Sequence, residues 1–460
     1  MAGGGIAISG MFSRFIFHTN IMKKLSLVLS ICLAMSLLPT YGAGLAILEQ
    51  SVSGLGRGLA GMSASWGDPS ALYFNPAAGA GCNSLTLDTG MHVLTGDVQF
   101  HDHGSTLEGK KSGDIVGTSF IPNFDVVMPI GDGITLNLAM TATSGTATKY
   151  NSNWIGRYFS TETSISVLEI APSISYRISD ELAIGVGFLA QYCDVLMKQK
   201  LNTSADALPS DLPAAYYAML APGMHDSRIK IEGDGWAFGF SAGIMYKPFE
   251  KTTIGLGYRS SMQHNVTAKA RVANIPAFVA QNYNINGTNY RDHARISMDQ
   301  PQSVNLGIQQ KVTDKLTLMA DIAWTDWSTL KDMPIKFRHG HLTEKYVKNH
   351  TKWHDSWRFS FGGDYALTDK WILRAGFTFD ERTVTVHSDK KTMMPDSNRI
   401  WACCGFSYKW NEHFTVDFGY NHIFFEPSSI KQTDSVSGKT LKGKYTGYTN
   451  LVSLGLKYEY

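Results

Sequence analysis

In the segment that closes this chain, side chains change character from one residue to the next. Tyr448, Asn450, Val452, Leu454, Leu456, Tyr458 and Tyr460 fall on one face of an extended strand. Thr449, Ser453, Gly455, Lys457 and Glu459 fall on the other, with Leu451 the one apolar exception. Successive side chains of a strand point to opposite sides, so one face is apolar with aromatic rings at both ends and the other is small or charged. Lipid demands that division: hydrocarbon at the middle, rings at the headgroups, and polar groups confined to an enclosed lumen.

The alternation recurs. Phe414, Val416, Phe418 and Tyr420 alternate with Thr415, Asp417, Gly419 and Asn421, and Trp357, Phe359 and Phe361 with Arg358, Ser360 and Gly362. Trp236, Phe238, Phe240, Ala242, Ile244 and Tyr246 make another apolar face. A soluble sandwich alternates as well, but its strands average about 5–6 residues. Many of these runs are longer, as a tilted membrane span of about 9–11 residues is.

The connections point the same way. Short turns such as Gly131-Asp132-Gly133, Thr313-Asp314-Lys315 and Thr368-Asp369-Lys370 alternate with long polar stretches such as 95–117, 202–227 and 426–446. Six short turns and seven long loops predict fourteen strands. An even count closes an antiparallel barrel, with both chain ends on the periplasmic side and the long loops outside. The fold class read here is all-β, a 14-stranded antiparallel transmembrane barrel with a small N-terminal plug.

The N-terminus carries an export signal. Met22-Lys23-Lys24 is basic, Leu25 to Leu38 apolar, and Pro39-Thr40-Tyr41-Gly42 a break before Ala43. That apolar run is too short to span a bilayer and fits a cleaved leader. Cys32 leaves with it, and Ile31 before it is too bulky for a lipobox. Residues 1–42 are thus expected to be signal (Met1 or the later Met22 as start), 43–83 plug and 84–460 barrel. The remaining Cys82, Cys193, Cys403 and Cys404 form no dense framework, and neighbours 403 and 404 should face opposite ways. Net charge is +2, with 41 basic and 39 acidic residues, which gives no nucleic-acid signature.

Residues 43–83 do not alternate. They are rich in small residues and carry Ser53-Gly54-Leu55-Gly56-Arg57-Gly58 and Asn75-Pro76-Ala77. A barrel of fourteen strands leaks unless something fills it, and Leu72-Tyr73-Phe74 argues for burial rather than a loose tail. These runs resemble the hatch of the long-chain fatty-acid outer-membrane transporters (the FadL and aromatic-hydrocarbon channel type). The likeness continues through Asn153-Trp154-Ile155-Gly156-Arg157-Tyr158, Gly235 to Phe240, Tyr258-Arg259-Ser260, Trp357-Arg358 and Pro395 to Arg399. It implies that extracellular loops catch a hydrophobic ligand, the lumen holds it, and an opening beside an inward-kinked third strand releases it sideways into the membrane. That strand is Ile134 to Thr148 here, with Gly145 matching the kink, and Asn75, Pro76 and Ala77 are expected to contact it, Asn75 by bonding to backbone freed at the bend.

Two loops add a capture site. Tyr216, Tyr217, Met219 and Leu220 are expected to lie in a short apolar helix, and Ile275, Phe278 and Val279 to supply a second patch. Exposed apolar patches mark binding sites, although the two loops could also bury one another as a lid. For a carboxylate the resemblance implies a basic residue just before the tenth strand, where His354 stands, and another in the fifth, at Gln199 between Lys198 and Lys200. Histidine is largely neutral at pH 7, so neutral aromatic or alkyl hydrocarbons stay open as ligands.

Other motifs dissolve in context. Gly239-Phe240-Ser241-Ala242-Gly243 fits a hydrolase pattern, but Ser241 sits mid-strand rather than at a strand-to-helix turn. Gly56 to Gly61 lacks room for the βαβ unit of a dinucleotide site. His101-Asp102-His103 and His339-Gly340-His341 have no evident third metal ligand. No enzyme, cofactor or metal site is expected. A general polar-solute porin would explain the barrel but not the plug. The expected partners are the hydrophobic ligand, outer-membrane lipid and the barrel-assembly machinery, reached through the strand ending at Tyr460, with the barrel itself a monomer in the bacterial outer membrane.

Overall fold

The computed structural model describes residues 45–202, 226–282, 284–340, 345–434 and 437–460. The wall consists of β1 (Thr86–Asp102), β2 (Ser119–Gly131), β3 (Ile134–Lys149), β4 (Glu162–Arg177), β5 (Leu182–Leu201) and β6 (Ser227–Phe249). Next come β7 (Thr252–Arg259 and Met262–Ala273), β8 (Tyr290–Gln300 and Ser303–Lys311), β9 (Leu316–Thr325 and Asp332–Phe337) and β10 (Tyr346–His350 and Ser356–Ala366). The last four are β11 (Trp371–Asp380), β12 (Arg399–Lys409), β13 (Phe414–Phe425 and Ser428–Thr433) and β14 (Thr440–Glu459). Each strand pairs antiparallel with its sequence neighbours, and β14 returns to β1 from Thr86↔Glu459 to Asp102↔Gly443. Five of the fourteen strands are interrupted once, and the ring is closed.

Closure answers a solvent problem. Hydrocarbon cannot bond a free N–H or C=O, so a spanning sheet must have no edge. The outward side chains match that solvent: Val186, Phe188, Phe238, Phe240, Phe361 and Leu454 are each more than half exposed. Cys403 is buried and Cys404 exposed, on opposite faces of β12, and all four described cysteines are free thiols.

The turns at one end are tight. Gly131, Asp132 and Gly133 all have positive φ, a conformation that glycine and aspartate tolerate best. Beyond the other end the strands continue: β6 runs for 23 residues and β5 and β14 for 20 each. Residues 45–83 lie inside the ring as one short helix, α1 (Val52–Gly56), and three 3-10 turns, Met62–Ala64, Pro69–Ala71 and Pro76–Gly81. Lumen-facing glycines allow the close fit: a Cβ on Gly243, Gly255, Gly257 or Gly376 would collide with Asn75, Ser63, Phe74 or Arg57 of this segment.

The topology sets one expectation for living cells. A small tag inserted at Thr368-Asp369-Lys370 should escape labelling on intact cells, whereas one in the β13–β14 connection near Lys439 should label. Labelling of the first and not the second would invert the orientation.

Candidate functional site

β3 is where the wall departs from regularity. Its ladder with β2 runs from Gly131↔Ile134 to Asn123↔Thr141 and stops. Its ladder with β4 continues to Lys149, with a register shift between Ala142 and Ser144 that leaves Thr143 as the extra residue. An extra residue bends a strand. Every residue from Ala139 to Thr148 is buried, whereas the rest of the strand alternates. This arm of β3 has left the wall and runs within it. The sequence permits the move, since apart from Met140 these residues are Ala, Thr, Ser or Gly.

The backbone groups freed on the β2 side find partners in the N-terminal segment. Gly145 N–H donates to Leu45 O at 2.7 Å, and Ile47 N–H to Thr143 O at 3.1 Å. Gln50 Nε2 donates to Ala142 O at 2.6 Å, while its Oε1 accepts the Thr141 hydroxyl. Farther out, Lys149 N–H donates to Ile115 O and Ile115 N–H to Val98 O, so the β1–β2 connection bridges β1 to β3 above the gap. A break in the ladder leaves costly orphans unless something pairs them. Here a short terminal stretch does so.

Small cavities of about 50 Å³ flank the arm. One, mostly apolar, lies among Leu94, Val98, Ile115, Thr146, Phe425 and Tyr445. The other includes Leu48, Tyr73, Thr143, Gln191, Arg259 and Arg358 in its lining. Its polar side chains form a chain back to the bulge. Gln191 Nε2 donates to Thr143 Oγ1 (3.3 Å) and Glu169 Oε2 (2.8 Å), and Arg259 Nη2 donates to that same Glu169 oxygen at 2.5 Å. Arg259 is therefore spoken for. Arg358 forms no ion pair among the described residues: its Nη2 donates only a long bond to Asn305 Oδ1 at 3.4 Å, and its buried Nε has no hydrogen-bond partner. Its guanidinium lies 5.8 Å from the centre of the Phe74 ring.

Above these cavities the lumen is apolar. Ile165 and Val167 of β4, Val195 and Met197 of β5, Ile229 and Ile231 of β6, Ile296 and Met298 of β8, and Ile335 and Phe337 of β9 form one buried cluster, which Leu45 enters. The water-filled barrel of a porin has a polar interior. Below, the segment 45–83 is tied down by polar contacts: Arg57 to Asp364 at 3.4 Å, Ser63 Oγ to Asp321 Oδ1 at 2.8 Å, and Asn421 Nδ2 to Leu55 O at 2.7 Å.

Residues 34–460 match the model of the family described as outer membrane protein transport protein (OMPP1/FadL/TodX). The chain belongs to that family. Its place is therefore the bacterial outer membrane, and its family is one of transporters. It is 25% identical to the long-chain fatty acid transport protein of Escherichia coli O6:H1 over 86% of this chain and 90% of that protein. Outer membrane protein P1 of Haemophilus influenzae is 26% identical over 91% of this chain and 95% of that one. Among solved structures, a Pseudomonas aeruginosa FadL homologue superposes with a TM-score of 0.80 at 22% identity, covering 91% of this chain and 100% of that one. The Ralstonia pickettii toluene transporter TbuX gives 0.64 at 17%, covering 90% and 100%.

Within this FadL-type barrel the expected residues scatter. The bend is centred on Thr143 rather than Gly145, which lies two residues beyond and donates to Leu45. Asn75 does not bond the bend. Its Nδ2 donates to Ser63 O (2.8 Å) and Ile244 O of β6 (3.1 Å), and its Oδ1 accepts Ala77 N–H (3.0 Å), capping the turn that Pro76 opens. Ala77 and Pro76 press on Gly185 of β5. Lys198 and Lys200 share the outward face of β5 with Val186 and Phe188, and are paired with Glu162 (2.8 Å) and Asp226 (3.3 Å). Gln199 holds the inward position. His354 does stand just before the Ser356–Ala366 part of β10, half-buried, its Nδ1 bonded to Asp355 O and its Nε2 without a partner. Ile275 and Val279 are buried in the apolar cluster, Val279 from α2 (Ala277–Asn282). Tyr216, Tyr217, Met219, Leu220 and the side chain of Phe278 lie outside the described residues. Arg259 and Arg358 were missed, although their signal was present: each is a cation at a lumen-facing position next to an outward aromatic, Tyr258 or Trp357.

Two outcomes follow for the N-terminal segment. Burial pushes the Glu49 carboxyl up to about 7, against the pull of the Glu49 and Leu48 N–H groups and of Arg399. The docked state thus favours the protonated acid, so docking is unpenalised below a carboxyl's ordinary range and weakens as pH rises from there through about 7. Hydrogen exchange at Ile47 and Gly145, corrected for intrinsic rate, should be at least tenfold faster at pH 8 than at pH 5. Glu49→Gln should flatten the difference; a flat wild-type profile would sink the idea. Asn75→Ala orphans the buried Ser63 carbonyl, removes a second contact from the Ile244 carbonyl of β6 and uncaps a turn, at about 1–3 kcal/mol for the orphaned group. Proteolysis within residues 60–80 should accelerate while the barrel keeps its heat-modifiable gel mobility.

Proposed function

We propose that this barrel takes up long-chain fatty acids across the outer membrane and releases them sideways between β2 and β3. The carrying observation is the pairing of an apolar upper lumen with a ladder that ends at Thr141. A polar solute gains nothing from such a lining, whereas an acyl chain is desolvated by it at about 25 cal/mol per Å². In this reading the ligand enters from loops that include Ile275 and Val279, as well as the stretch containing Tyr216 to Leu220. It then displaces the Leu45–Gln50 stretch from the β3 arm and leaves through the gap. The segment 43–83 acts as the hatch, residues 1–42 as a cleaved leader, and the assembly machinery reads the C-terminal strand.

The carboxylate goes to Arg358, a buried cation beside the cavity at Tyr73 whose Nε has no partner, with His354 as a second contact. The relative named as a long-chain fatty acid transport protein supports this choice over a neutral hydrocarbon. Ser241 lies within β6 and not at a strand-to-helix turn, which supports transport rather than hydrolysis. The closed ring leaves no strand edge to pair with a second copy, which supports a monomer.

Expression in a strain lacking its own fatty-acid transporter should restore oleate uptake, while liposomes carrying the barrel should not swell in arabinose. Arg358→Met should lower oleate uptake at least tenfold and leave toluene entry unchanged. Equal loss of both would remove the carboxylate role; sugar permeation with no oleate uptake would leave a porin.

A further inference from the structure

On the outer face of the β13–β14 pair, above the membrane, a groove of about 720 Å³ is lined by Lys431, Lys442, Lys444, His103 and His387. Lys442 and Lys444 share a face with Tyr448, which is 43% exposed, while Leu441 and Tyr445 between them point inward and are buried. Tyr448 and its cross-strand neighbour Phe424 are outward rings, of the kind that sit at the headgroup level. Lys444 is four residues farther out, about 13 Å along the strand and, at a tilt near 40°, roughly 10 Å along the membrane normal. The lysines therefore stand outside the level of the rings, among the polar groups of the outer leaflet.

The charges are not balanced by protein. Lys431 is directly opposite Lys442 in the ladder. Like charges facing each other across strands are destabilising, so the arrangement asks for an anion. None of the three ammonium groups forms an ion pair among the described residues. Other outer lysines do pair: Lys198 with Glu162, Lys348 with Asp332 and Lys352 with Asp389. The nearby carboxylates are turned elsewhere. Asp97 accepts from Gln99, Asp102 from Ser105 and Asp434 from Ser437. The wall of the groove is fixed, because Lys431 N–H donates to His387 O and His103 N–H to Lys442 O.

We propose that this groove binds the phosphorylated headgroup of an outer-leaflet glycolipid, with Lys431, Lys442 and Lys444 on its phosphate groups. Lysine serves phosphate as a point charge, and basic clusters just outside a membrane span recognise anionic headgroups. The position selects the lipid over a soluble phosphate: the lysines share the outward strand face that carries Tyr448 and, farther in, Val452, so one molecule can lay its chains on that face and its phosphates on the lysines. The site is outside the barrel and separate from the transport path.

The full-length barrel in lipid nanodiscs would be titrated with a bisphosphorylated glucosamine-disaccharide lipid, its phosphate-free counterpart, and inorganic phosphate, with binding read by native mass spectrometry. The bisphosphorylated lipid should bind, and the K431Q/K442Q/K444Q variant should lose at least tenfold in affinity while its gel mobility and oleate uptake stay at the wild-type level. The corresponding lysine-to-arginine variant should keep binding. Equal affinity for the phosphate-free lipid, or unchanged binding by the glutamine variant, would overturn the proposal. Inorganic phosphate binding as tightly as the lipid would make this a free-phosphate site, and displacement of the glycolipid by oleate would make it a ligand entry; either overturns it too.

Discussion

Every backbone polar group in this molecule that faces hydrocarbon must be bonded to its neighbour strand, and the upper half of the β2–β3 seam departs from that rule. Above Asn123 and Thr141 the β2–β3 ladder is absent, and the debt is met from inside by Leu45, Ile47 and Gln50. The rest of the site follows from that. A strand that has lost a partner can bend, a bend needs an extra residue, and Thr143 is that residue. A strand that bends inward is buried on both faces, so its side chains must be small. A gap held by a terminal segment, unlike one held by a ladder, can open without unravelling the sheet.

The fold was legible because lipid imposes a period. Phe414 to Tyr420 and Tyr448 to Tyr460 alternate as a soluble sandwich also would, but over runs longer than its strands, and turn length separated the two ends of the barrel. The segment that lies inside the ring was legible as the stretch that failed to alternate. Closer detail followed poorly, because contact between a lumen segment and the wall leaves no period in the sequence. Nothing in Asn75-Pro76-Ala77 says that its amide reaches β6 rather than the arm of β3.

The charged residues divide in the same manner. Lys198 and Lys200 looked suitable by type, but the period of two that identified β5 also turns them outward and leaves Gln199 inside. That test was available from Val186 and Phe188 in the same strand. Arg259 and Arg358 pass it, and both stand beside the cavity at Tyr73. Residue type suggested the chemistry; parity decided which residues could reach the ligand.

Val52 of α1 has a position with a consequence of its own. Its side chain lies against Gly90 of β1 and Gly455 of β14, the two strands whose pairing completes the ring. A larger residue at either glycine would meet it, so the seam is shaped around an object already in the lumen. Closing the cylinder first would leave the helix to be threaded in afterwards, past walls that fit its backbone with no clearance. The seam is thus a lock whose key is cast inside it, a fit that favours placing the segment before the last strand pair is zipped.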